Sequence, residues 1–163
     1  MAAWLEESRG LGRQRLLMTA FRGSGKSTLV ALYLTWLFTQ DPDMRALLLA
    51  ADSSLAIKMA NNIRKIIQSH PFTSTLRPKN PDQWAADRFT VNRTKELRDP
   101  SILALGISAN ITGCRADIIV YDDVEVPNTC NTALKRQDLR ERLTESNFIL
   151  VPGGTQLYIG TPH

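Results

Sequence analysis

Residues 20–27 read Ala-Phe-Arg-Gly-Ser-Gly-Lys-Ser, and no other feature of the chain constrains the fold as tightly. A small residue, a variable glycine-bearing stretch and then Gly-Lys-Ser is the pattern of a phosphate-binding loop, which works only where a buried strand turns through glycines into a helix N-terminus. The flanks fit. Residues 16–21 (LLMTAF) read as a buried strand, and the apolar residues 29–38 read as a helix that ends before Asp41-Pro42. A plain glycine turn joining two elements is the alternative, and the strand before with the helix after argues against it. In this order the N–H groups of Gly23, Ser24, Gly25 and Lys26 wrap a β-phosphate. Lys26 reaches the β- and γ-phosphates, and the Ser27 hydroxyl ligates Mg²⁺.

Strand-like and helix-like segments alternate through the rest of the chain, without repeats. Residues 44–51 (MRALLLAA) read as a second apolar strand, followed by a helix capped by Asp52 or Ser53 that carries Leu55, Met59, Ile63, Ile66 and Ile67 on one face. It stops at Pro71. Residues 71–81 read as a Pro/Ser/Thr-rich loop, and residues 88–91 and 101–107 as strands that pair across a polar segment. Residues 117–121 form another strand, an Arg/Glu-rich helix surrounds Leu134, Leu139 and Leu143, and residues 155–159 form a last strand after Pro152-Gly153-Gly154. This order predicts a three-layer α/β/α sandwich around a largely parallel sheet. The helix after the loop is expected to bury Leu29, Leu32, Leu34 and Leu37, leaving little of its surface to solvent.

Two further signals fall at strand ends. The run Ile118-Ile119-Val120-Tyr121-Asp122-Asp123 ends in paired acids, one able to hold Mg²⁺ and the next to orient and deprotonate an attacking water. Acids after a strand also serve as caps or turn residues, and it is the phosphate loop upstream that favours the chemical reading. Glu125 competes with Asp123 for the water if the chain bends after Asp123. The run Tyr158-Ile159-Gly160-Thr161-Pro162 would set Thr161 near a γ-phosphate, provided its strand lies beside the one feeding the loop. A polar, glycine-bearing stretch at residues 106–117 delivers Arg115 near the sheet edge.

Composition excludes several classes. With 163 residues, 43 % hydrophobic and 22 % charged, the chain suits one packed domain and not a disordered or fibrous one. The longest apolar stretch, residues 28–38, falls short of the ~20 residues a membrane span requires. No basic-then-apolar signal opens the chain. A formal charge of +4 is compatible with a polyanionic partner but too modest to demand one. Two cysteines, Cys114 and Cys130, with no CxxC spacing suggest neither zinc nor a disulfide framework.

Taken in order, AFRGSGKST, ITGCRADIIVYDDVE and YIGTP closely resemble the ATPase domain of the large terminase subunit of tailed bacteriophages, most of all the short-tailed-phage type. The resemblance covers residues 15–163 and implies a P-loop fold of the additional-strand type that hydrolyses ATP to drive double-stranded DNA into a procapsid. It implies nucleotide contacts at Ala20, Arg22, Gly23, Ser24, Gly25, Lys26, Ser27 and Thr28, and Mg²⁺ on Ser27 and Asp122. Asp123 falls at the catalytic acid position, with Glu125 its competitor, and Thr161 falls in the coupling motif. Arg22 matches the family's loop arginine, and Arg115 is the best match to a finger donated to a neighbouring subunit; a surface salt bridge to Asp117 or Asp87 is its alternative. The family also implies a portal protein and a small terminase subunit as partners, a homo-oligomeric ring, no membrane, and the cytoplasm of a bacterial host.

Two departures accompany the resemblance. Residues 1–163 are expected to hold an incomplete ATPase domain, without the lid, linker and RNase H-like nuclease domain of the family, and to lack its upstream adenine-contacting segment. Trp4 and Gln14 are the nearby candidates for base contacts, and Trp4 reads better as a packing residue. Other readings stay open: a helicase core, which would need a second ATPase core; a small-molecule P-loop kinase, which would need a lid and no second acid; and a non-catalytic prophage remnant that binds nucleotide or partner subunits.

Overall fold

A computed structural model describes residues 1–78 and 84–162. Its centre is β2 (Ala46–Ala50), an uninterrupted apolar pentapeptide with every residue buried, as a strand covered on both faces must be. The sheet has six strands in the order β1-β6-β5-β2-β4-β3. β1 (Arg15–Thr19), β6 (Leu150–Gly160), β5 (Ala116–Asp122), β2 and β4 (Ile102–Gly106) run parallel. The two-residue β3 (Arg88–Phe89) closes the edge antiparallel to β4. The pairing expected across the polar segment therefore forms, but over a shorter stretch.

Alternation along the strands sorts the core into two layers. Leu48, Val120, Leu157 and Ile159 face α2 (Lys26–Gln40) and α3 (Ser53–Ser69), while Leu47, Leu49, Ile119 and Tyr121 face Ile107, Ile111 and Leu139 of α5 (Ala133–Ser146). The three-layer expectation is met. On α3, Asp52 is the cap, its Oδ1 accepting from the Leu55 N–H at 3.0 Å. Met59, Ile63 and Ile67 are buried as expected, but Leu55 in the first turn is exposed. The last residue of β4 is a glycine because α3 begins against it: a Cβ on Gly106 would lie 3.0 Å from the Ser53 nitrogen.

Further features were not foreseen. A helix α1 (Ala2–Gly10) precedes β1 and packs Leu5 against the core, with the Arg9 guanidinium over the Trp36 ring. One expectation for α2 fails. Leu34 and Leu37 are buried and Leu29 partly so, but Leu32 is 46 % exposed, because it points along the groove between α1 and α2 rather than at the sheet. A short α4 (Pro127–Cys130) links β5 to α5. The region read as a loop from Pro71 begins with a 3₁₀ turn, Pro71–Leu76, that buries Thr73 and Leu76; its end, residues 79–81, lies outside the described residues. β6 also starts earlier than the glycines suggest, absorbing them in an irregularity between the pairs Ala116↔Leu150 and Ile118↔Thr155. Among the described residues, no helix is long and apolar enough to cross a membrane.

Candidate active site

The strand order decides what meets at the C-terminal sheet edge. β6 lies between β1, which feeds the glycine loop, and β5, which ends in the acids. Pairing persists beyond the strands: the Ala20 N–H donates to the Gly160 carbonyl at 3.1 Å and the Asp123 N–H to the Ile159 carbonyl at 2.9 Å. Loop, acids and the Gly-Thr-Pro turn are thus set side by side by backbone, before any side chain acts.

The loop itself depends on two glycines. Gly23 and Gly25 have φ of 84° and 79°, where a side chain is strained even though the space around each is open. Gly25 is also the N-cap of α2 and offers no side-chain acceptor, so the first N–H groups of the helix are left for an anion. Lys26 follows at once. Its ammonium, nearly buried, donates to Thr161 Oγ1 at 2.7 Å and lies 3.3 Å from Asp123 Oδ2. The Thr161 hydroxyl is 3.2 Å from Asp123 Oδ1. Ser27 Oγ donates to Asp122 Oδ2 at 3.2 Å.

Asp122 and Asp123 point to different partners because Asp123 takes φ 45°, among the described residues the single non-glycine with positive φ, a conformation aspartate tolerates better than most. Burial, and next the neighbouring Asp123 carboxylate, raise the Asp122 pKa above the ordinary carboxylate value, with Ser27 and Lys26 opposing. A half-buried carboxylate held near a hydroxyl is suited to a hard divalent ion. Among the described residues no group of three or more His, Cys, Asp or Glu could hold a metal alone, so such an ion would retain waters or take phosphate oxygens, as Mg²⁺ does.

The residues named from sequence divide clearly. Ala20, Gly23, Ser24, Gly25, Lys26, Ser27, Asp122, Asp123 and Thr161 are brought together at one edge, and Arg22 and Thr28, in the same loop and helix start, are exposed. Glu125 is exposed and lines, with Asp123, Thr161, Leu17 and Tyr158, a cavity of about 430 Å³ on the α5 side of the sheet. Arg115 is not at the site. It is exposed one residue before β5, and seven residues of extended chain, about 23 Å at ~3.3 Å per residue, separate it from Asp122. Neither expected salt bridge of Arg115 forms: Asp117 pairs with Arg45 at 2.9 Å, brought alongside by the β2–β5 register, and Asp87 with Arg88 at 2.8 Å. Trp4 packs partly buried against the core, as read.

Sequence reasoning missed what braces the acids from behind. Tyr121, fully buried, stacks on Tyr158 with ring centroids 4.2 Å apart, and its hydroxyl contacts Ser146 Oγ and accepts from Gln156 Nε2 at 3.0 Å. Gln156 also donates to Asn147 Oδ1 at 2.8 Å. No local pattern marks these residues, since a tyrosine inside an apolar strand and a glutamine in the next read as ordinary strand positions.

A glycine loop leading from an outer parallel strand into a helix, with paired acids two strands away and one strand inserted between, defines a P-loop fold of the additional-strand type. No protein-family model matches the chain. Over 151 residues, 91 % of the chain, it is 33 % identical to the large terminase subunit of Enterobacteria phage T3. The crystal structure of the HK97 bacteriophage large terminase superposes with a TM-score of 0.60 over 90 % of the chain at 13 % identity, a likeness of fold, and covers 29 % of that protein. A large terminase ATPase domain from Thermus phage P74-26 gives a TM-score of 0.49 at 15 % identity, over 98 % of this chain and 64 % of that one. The chain thus resembles a large terminase subunit over nine tenths of its own length, and spans 26 % of the length of the phage T3 relative.

Proposed function

We propose that this chain hydrolyses ATP with Mg²⁺ to drive double-stranded viral DNA into a procapsid. The observation that carries the reading is the meeting of Lys26, Ser27, Asp122, Asp123 and Thr161 at one sheet edge, through side-chain contacts of 2.7 to 3.3 Å. The loop N–H groups and Lys26 would bind the β- and γ-phosphates, and Ser27 with Asp122 would hold Mg²⁺. Bound Mg²⁺ supplies charge neutralisation on the phosphate oxygens. Asp123 would orient the attacking water and accept its proton, a role its contact with Thr161 and Lys26 favours over the exposed Glu125. Ala20, Ser24, Arg22 and Thr28 would complete the nucleotide surface.

Arg115 keeps a role only as a residue donated to a neighbour in a homo-oligomeric ring, for its own site lies at the other end of the strand. The portal protein, the small terminase subunit and the host cytoplasm complete the setting by kinship with the family. The test is hydrolysis by the purified chain with and without duplex DNA. Stimulation by DNA that falls as salt is added, since phosphate contacts release counterions, supports the motor. Nucleotide binding with no turnover, even after mixing with a full-length subunit, would replace it with the remnant reading.

A further inference from the structure

We infer that Lys26, Thr161 and Asp123 form a latch at the phosphate loop, which a polyphosphate has to open in order to bind and whose opening frees the acid. The inference rests on the ATPase reading and adds its control. The three groups close a ring with every proton accounted for. The Lys26 ammonium, which can only donate, gives one N–H to Thr161 Oγ1 at 2.7 Å and another toward Asp123 Oδ2 at 3.3 Å. Thr161, with one proton to give, passes it to Asp123 Oδ1 at 3.2 Å. At most one ammonium proton is left for a ligand, whereas contact with both β- and γ-phosphate oxygens takes two.

The parts of the latch differ in freedom. Thr161 and Asp123 stand on strand ends tied to their neighbours by the Ala20-to-Gly160 and Asp123-to-Ile159 backbone bonds, and Asp123 is further fixed by its left-handed backbone. Lys26 stands on a long flexible stem. When phosphates draw the lysine toward the loop, the acid loses the partner that occupies it, so the lysine reports nucleotide to the acid and to Thr161 in one displacement. The Ser27–Asp122 contact is separate and need not break for this to happen.

If binding opens the latch, weakening the latch tightens binding. Asp123→Asn, which keeps the shape and removes the charge, should bind nucleotide about three- to fivefold more tightly, the scale expected of a partly exposed ion pair. Thr161→Val should gain about twofold, and Thr161→Ser should return to wild type. The measurement is isothermal titration calorimetry with Mg²⁺, using ADP and the non-hydrolysable analogue adenylyl imidodiphosphate as separate probes, on variants whose thermal unfolding matches wild type. Removing a negative charge near the phosphates would by itself tighten both probes, the analogue more than ADP, whereas Thr161→Val removes no charge, so the latch requires a gain for ADP in Thr161→Val as well. A gain for the analogue alone, or unchanged or weaker binding in both Asp123→Asn and Thr161→Val, overturns the latch. Failure of the wild-type chain to bind either nucleotide would overturn the ATPase reading itself.

Discussion

Removing the Tyr121 hydroxyl should cost about 1 kcal/mol, and the structure explains why it is no more. Tyr121→Phe keeps the ring and its stack on Tyr158 at 4.2 Å and deletes one oxygen. A buried polar partner left with no bond would cost about 1–3 kcal/mol, but neither partner is orphaned. Ser146 Oγ still donates to the Leu143 carbonyl at 2.6 Å, and Gln156 Nε2 still donates to Asn147 Oδ1 at 2.8 Å. What is lost is the net value of the bonds to the hydroxyl, about 0.5–1.5 kcal/mol. For a domain of this size that lowers the melting temperature by about 2–4 °C. Urea unfolding followed by circular dichroism should show a lower midpoint with an unchanged slope, the mark of altered stability without altered compactness. A loss above ~2.5 kcal/mol would mean the partners are orphaned after all, and no loss would mean the network does not hold β5 to α5 and β6.

Further outcomes follow from the same geometry. Asp122 has a raised folded-state pKa, so its charged form is disfavoured by folding: no penalty applies below the unfolded carboxylate value, and stability is lost as pH rises through the folded value. Asp122→Asn should therefore melt higher than wild type at pH 7 in the absence of Mg²⁺, an advantage that fades on acidification through the carboxylate range, while losing Mg²⁺-dependent turnover. Asp123→Asn should cut turnover by at least ~10²-fold and Glu125→Gln by little, measured as steady-state phosphate release; the reverse order would exchange their roles. Leu34→Ala, fully buried, should destabilise by about 3–5 kcal/mol, and Leu32→Ala, 46 % exposed, by under ~1.5 kcal/mol in chemical denaturation.

How far the chain could be read beforehand followed the range of the physics involved. The loop, the acids and the fully apolar β2 were legible because each is a local pattern with a local cause. Leu32 was misjudged because a uniformly apolar helix hides its own inward face: the buried Val30, Ala31, Leu34, Leu37 and Phe38 define one side of α2 and Leu32 lies opposite it. The proximity of Thr161 to Lys26 could be stated only as a condition, since spacing does not reveal that β6 inserts between β1 and β5. Arg115 shows the same limit from the other side. A spacing of seven residues before Asp122 looks short in sequence and becomes the length of a strand in the fold.

The central claim, that the glycine loop and the acid pair form one ATP-hydrolysing site, is tested most directly by Mg²⁺-dependent phosphate release from ATP by the wild-type chain and by Lys26→Ala. The account predicts measurable turnover in the first and a loss of at least ~10²-fold in the second, the scale of removing a charge-stabilising donor from a developing anion. Equal turnover in both chains, or none in the wild type with Mg²⁺, ATP and duplex DNA all present, would contradict it.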